Sequence, residues 1–149
     1  MIKLRFVSEN TVGSSIICWY SNSKYSHVDI GLPDGTFLGS RYYGGVQIRP
    51  NNYLVPKEEL WLGQELGIKE VDLLAWAKSH IGDPYNWKGI YSFAFDTNWR
   101  VKNSWLCSTF VLAAFEAVGM PLLNMNYETK ATPADITMSL NLVATEVWS

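Results

Sequence analysis

Histidine and cysteine are the scarce residues of this chain: two of each, His27, His80, Cys18 and Cys107, among 149 positions. With so few, and no close ligand spacing among them, the sequence holds no zinc-type motif, and neither a metal nor another cofactor is expected. Positive charge is thin as well. Twelve Lys and Arg against 14 Asp and Glu leave a net charge of −2, and no basic run offers a track for nucleic acid or an anionic membrane surface. Long apolar runs are missing too, since no stretch nears the ~20 residues of a membrane span. The opening MIKLRFVSEN lacks the apolar core of a signal peptide. The expectation is a soluble chain, cytoplasmic as synthesised, that meets any outside substrate by release or on a larger assembly. A Cys18–Cys107 disulfide is the less favoured arrangement, because Cys18 falls inside the apolar run SIICWY and reads as a buried strand residue.

What is abundant is apolar and aromatic surface. Hydrophobic residues make up 48% of the chain, with seven Trp and eight Tyr, enough to build one core and still line a groove. No linker or repeat divides the sequence, so residues 1–149 form a single domain. Alternation predicts strands over 2–7, 15–20, 25–32, 36–40 and 46–49, with a further one over 59–66. Pro33-Asp34-Gly35 marks a tight turn between the third and fourth. Val71, Leu74, Ala75, Lys78 and Ile81 form the stripe of a helix over 71–81, stopped by Gly82 and Pro84. An aromatic loop over 83–105 follows. Thr132-Pro133-Ala134-Asp135 opens a short helix, with Thr at N-cap and Pro at N1, and 141–148 closes the chain as a strand. Strands first and helices later make the fold class α+β.

The chemistry gathers at Ser104-Trp105-Leu106-Cys107-Ser108. Val111, Ala114, Phe115 and Val118 recur at helical spacing, and Gly119 with Pro121 ends that helix. Cys107 therefore stands in a first turn, where unpaired N–H groups and the positive end of the helix dipole favour a thiolate. A base would complete the pair. His27 sits on the polar face of the strand YSHVDIGL with Asp29, opposite Val28 and Ile30. His80 falls in the last turn of a helix, where a cation complements the dipole, and reads as structural. Cys107 as nucleophile with His27 as general base is the pairing of papain-like enzymes.

The sequence at this point resembles a known group. Tyr25-Ser26-His27-Val28-Asp29-Ile30-Gly31-Leu32, followed by Pro33-Asp34-Gly35-Thr36-Phe37-Leu38, is similar to the histidine hairpin of NlpC/P60-type cysteine peptidases. Ile81-Gly82-Asp83-Pro84-Tyr85-Asn86-Trp87-Lys88-Gly89 resembles their G-x-P-Y-x-W-G stretch, and Leu106-Cys107-Ser108 their nucleophile motif. Here His27 precedes Cys107 by 80 positions (107 − 27), the reverse of ordinary members. That order is similar to the circularly permuted branch, which holds the YaeF/YiiX-like and lecithin:retinol acyltransferase-like proteins. Thr132-Pro133-Ala134-Asp135-Ile136 also looks like a segment that YiiX-like proteins carry after the nucleophile helix.

The resemblance implies a permuted papain-like fold, an antiparallel sheet packed against the helix that bears the nucleophile. It implies a thiol hydrolase of amide bonds, with a peptidoglycan peptide as substrate and Tyr85 helping the Cys107 N–H to hold the oxyanion. Arg41, Tyr42, Tyr43, Trp87 and Trp105 would line the groove, Arg41 as a carboxylate contact. One position departs from the pattern. Gly39 stands where a polar residue usually orients the base, which leaves Asp29, Ser40, a backbone carbonyl or water for that role, and Asp29 and Ser40 read first as a solvated strand residue and a turn hydroxyl. The rival readings are a non-catalytic binding module on the same fold and an acyltransferase or lipid-amide hydrolase.

Overall fold

The computed structural model describes residues 1–8, 24–88, 104–124 and 131–145. The strand predicted over 15–20 and Cys18 within it lie outside the described residues, as does much of the aromatic loop.

Among the described residues, six strands form one antiparallel sheet: β1 (Ile2–Val7), β2 (His27–Gly31), β3 (Phe37–Arg41), β4 (Gly45–Arg49), β5 (Glu59–Gln64) and β6 (Val143–Ala144). Their spatial order is β4-β3-β2-β1-β5-β6. Among the described residues, three helices follow the first five strands: α1 (Lys69–Ser79), α2 (Cys107–Ala117) and α3 (Pro133–Thr137). The class is α+β, as the order of elements predicts.

Period-2 alternation separates the two sheet faces. Leu4 pairs with Ile30 and with Leu62, and Ile30 pairs with Leu38, so these apolar side chains share a face. They join Phe110, Val111, Ala114 and Phe115 of α2 in one core. Helix α2 is buried along its first nine residues, from Cys107 to Phe115. A helix that apolar all round is stable only inside a protein. Its end carries the expected glycine: Gly119 has φ 71°, with Gly119 N–H donating to Glu116 and Met120 N–H to Phe115, the two bonds of a Schellman cap.

Helix α1 corrects the predicted stripe. The helix runs two residues earlier than 71–81, Val71 and Ile81 are exposed, and Leu73 and Ala77 are the buried positions. The sequence contains a second helical stripe, Leu73, Trp76, Ala77 and His80. Trp76 decides between them, because its indole packs against Trp105 and Phe110 with ring centroids 5.8 Å from each. An aromatic that fills the space over α2 outweighs Val71 and Ile81 as a burial anchor.

Helix α3 begins as read. Thr132 Oγ1 accepts from Asp135 N–H at 3.2 Å, and the Asp135 carboxylate accepts from Thr132 N–H at 2.7 Å. Just before it, the Ser108 hydroxyl donates to the Ala131 carbonyl at 2.6 Å, which ties this segment to the residue after Cys107.

Candidate active site

Cys107 opens α2 after an extended N-cap, Leu106. Leucine has no acceptor to offer the helix, so the cap is one-sided: Thr109 Oγ1 accepts from Leu106 N–H at 3.0 Å. The first intrahelical bond, Phe110 N–H to Leu106 O, leaves the earlier N–H groups of the turn outside the helical ladder.

The approach to Cys107 is held from two sides. The Trp105 carbonyl accepts from the Ser40 hydroxyl at 2.7 Å and from Asn86 N–H at 3.1 Å. Trp105 N–H in turn donates to the Pro84 carbonyl. Ser40 is therefore occupied with the backbone two residues before the thiol and does not orient His27. The other side of this clamp rests on Gly45, whose φ is 67°; a Cβ there would lie 2.0 Å from the Asp83 carbonyl oxygen. That close approach lets Val46 N–H donate to Asp83 and Gly82 N–H to Val46, which seats the Gly82–Tyr85 stretch on the start of β4.

His27 and Asp29 share the sheet face opposite the α2 core, and both are buried, Asp29 to 2% exposure. His27 Nε2 and Asp29 Oδ1 are 2.7 Å apart. The second carboxylate oxygen accepts from the Tyr53 hydroxyl, which itself accepts from Arg41 Nη1 at 3.2 Å. Burial alone would strip the His27 proton, but the Asp29 charge and hydrogen bond, with the Cys107 sulfur, outweigh burial and Arg41 and lift its pKa to about 9. Burial likewise works against the Asp29 carboxylate; His27, Arg41 and Tyr53 overcome it and hold its pKa below the usual value. The pair at neutral pH is imidazolium and carboxylate.

A stability prediction follows. The His27 contribution is complete below its unfolded pKa of about 6.5 and disappears as pH rises through about 9. Asp29, with its pKa depressed, contributes above its unfolded value and loses that contribution only in acid. The urea midpoint should therefore fall between pH 6.5 and 9, and His27→Gln should remove that fall. An equal fall in the variant would show that His27 does not titrate this way.

Cys107 is a free, buried thiol. Its sulfur lies 3.8 Å from the Ser26 carbonyl oxygen, the residue directly before His27. No hydrogen bond joins Cys107 to His27 among the described residues; the two meet through the charge interaction and through Ser26. With Nε2 on Asp29, Nδ1 is the imidazole nitrogen left for proton exchange with a thiol.

The other candidates divide. Trp105 is core rather than groove: it is 4% exposed, packs on Trp76 and Phe110, and its Nε1 donates to Asp83 at 3.0 Å. His80 holds the same Asp83 carboxylate at 2.7 Å, in keeping with a structural role. Arg41 directs Nη1 to Tyr53, on the Asp29 side of the sheet. Tyr42, Tyr43 and Trp87 are exposed, and Tyr42 touches Tyr43, Tyr85 and Trp87 to make a surface aromatic cluster. Tyr85, half-buried, bridges to Trp105 through its backbone. Tyr53 escaped the sequence reading, since a tyrosine in the polar, two-proline connection over 50–57 carries no periodic or motif signal.

No family model matches the chain, and no curated protein matches it by sequence. Among solved structures, the crystal structure of metalloprotein YiiX from Escherichia coli O157:H7 superposes with a TM-score of 0.70 over 99% of this chain and 97% of that one, at 18% identity. The fold is YiiX-like. At that identity the likeness speaks for the YiiX-like architecture and not for activity. Nor do the described residues here fit a metal centre: no group of three or more His, Cys, Asp or Glu comes together among them. His27 and Asp29 are bonded to each other instead. Among the described residues no helix is long and apolar enough to cross a membrane.

Proposed function

We propose that the protein is a thiol hydrolase of amide bonds on a permuted papain-like scaffold, with Cys107 as nucleophile and His27 as its acid–base partner. The supporting observation is the placement of a buried His27–Asp29 ion pair one residue from the carbonyl that the Cys107 sulfur touches. At neutral pH His27 holds a proton, and the form of Cys107 that attacks is the thiolate, as for any thiol nucleophile. The thiolate attacks the amide carbonyl. Free N–H groups in the first turn of α2, with the Tyr85 hydroxyl, receive the oxyanion. The imidazolium gives its proton to the leaving amine as the C–N bond breaks and leaves the acyl group on Cys107 as a thioester. The neutral ring then takes a proton from water, whose oxygen attacks the thioester carbonyl, breaking the C–S bond to free the acid and restore the thiolate. A peptidoglycan peptide is the substrate that the family resemblance favours, and the exposed Tyr42, Tyr43 and Trp87 cluster would contact it.

The direct test is incubation with muropeptides and simple acyl amides, with products followed by mass spectrometry. Cleavage by the wild type and none by Cys107→Ala is the expected result. Binding of a muropeptide that survives Cys107→Ala, with no cleavage by either protein, would instead favour the non-catalytic module. The missing Cys107–His27 hydrogen bond is the observation on that side. Transfer to an added acyl acceptor in place of water would mark the acyltransferase alternative.

A further inference from the structure

Gly39 and Asp29 face each other across the β2–β3 hairpin, one step beyond the pairs Ile30–Leu38 and Gly31–Phe37. A Cβ at position 39 would lie 2.2 Å from Asp29 Oδ1 and 3.3 Å from its Cγ. Carbon and oxygen do not approach so closely without a bond, and Oδ1 is the atom that receives His27. Gln47, the β4 partner of Gly39, turns its amide to the Tyr43 and Gly45 carbonyls.

We infer that Asp29 is the positioning residue for His27, and that Gly39 is the vacancy which lets its carboxylate reach the imidazole. The inference rests on His27 serving as the base of the proposed hydrolase. The absent side chain at position 39 is then no lost function. Two residues that face one another on neighbouring strands compete for one space beside the imidazole, and here β2 supplies the polar group while β3 makes room. The carboxylate has little freedom to step aside, because Oδ1 is held by His27, Oδ2 by Tyr53, and the residue is almost wholly buried. Displacing it would leave a buried charge without its partners. The charged and titratable groups acting on His27 are Asp29, Arg41 and Cys107. With Asp29 moved away, Arg41 and burial both act against the imidazolium.

The test is histidine titration by NMR on the full chain, with His80 as the internal reference. Wild-type His27 should titrate near pH 9, and Asp29→Asn should bring it to 6.5 or below. Gly39→Ala should bring it to the same range although Asp29 is retained, with His80 unmoved. A Gly39→Ala protein whose His27 still titrates near 9 would overturn the inference. If Gly39→Ala does not fold, Asp29→Gly is added to it, which removes the colliding carboxylate. Recovery of the fold supports the shared space, and no recovery overturns it. These readings do not depend on cleavage: failure of the hydrolase reading would appear as a Cys107 indifferent to His27→Ala, with the titrations unchanged.

Discussion

Iodoacetamide should alkylate Cys107 at pH 6.5 at least roughly tenfold faster in the wild type than in His27→Ala, because the thiolate is the nucleophile and an imidazolium beside it favours that form. An ordinary thiol of pKa ~8.5 is only about one per cent ionised at that pH. The argument is one of charge pairing. His27 is held as a cation by Asp29 on one side, and the Cys107 sulfur is among the groups that favour that cation. A nearby opposite charge in general favours the charged form of an acid. His27→Ala removes it and leaves the first-turn N–H groups of α2, which alone give a weaker preference. Mass spectrometry of the modified peptides after timed quenching, across pH 5 to 9, measures the effect. Equal rates in the two proteins, or a Cys107 that does not react at all, would reduce the thiol to a buried structural residue. The present thiol contact with the Ser26 carbonyl, in place of one with His27, is what makes this the sharpest test of the functional reading.

Phe110→Ala should cost about 3–5 kcal/mol, the usual range for a large aromatic removed from a core. Phe110 is fully buried in the first turn of α2, three residues after Cys107, and its ring packs against Trp76 and Trp105. Those two indoles come from α1 and from the segment that enters α2, so one side chain joins three parts of the chain. Removing it leaves a cavity lined by rigid aromatic rings, which collapse poorly. With a urea slope of ~2 kcal/mol per molar, the unfolding midpoint should drop by about 1.5–2.5 M. The exposed Val71→Ala, on the outward side of α1, serves as the control and should move it by less than ~0.5 kcal/mol. A small loss for Phe110→Ala would mean that the aromatic cluster does not hold α2 in place.

The division between what was legible in the residues and what was not follows from the range of the interactions. Local rules were enough for β1, the Pro33-Asp34-Gly35 hairpin, the Gly119 stop and the Thr132–Asp135 capping box, since each depends on neighbours within about one turn. The face of α1 was not settled locally. Two stripes of equal period overlap in residues 71–81, and only the arrival of Trp105 and Phe110 from 30 or so positions later selects the one containing Trp76. The same holds for the site. Alternation placed His27 and Asp29 on one strand face, and helix punctuation placed Cys107 in a first turn. That Asp29 is buried and bound to His27, that Ser40 is taken by the Trp105 carbonyl, and that Tyr53 holds the second carboxylate oxygen are contacts between distant segments. Gly39 is the clearest case. In the sequence it is a missing side chain, whereas in the sheet it is the space in which the Asp29 carboxylate stands, because only strand pairing brings the two positions face to face.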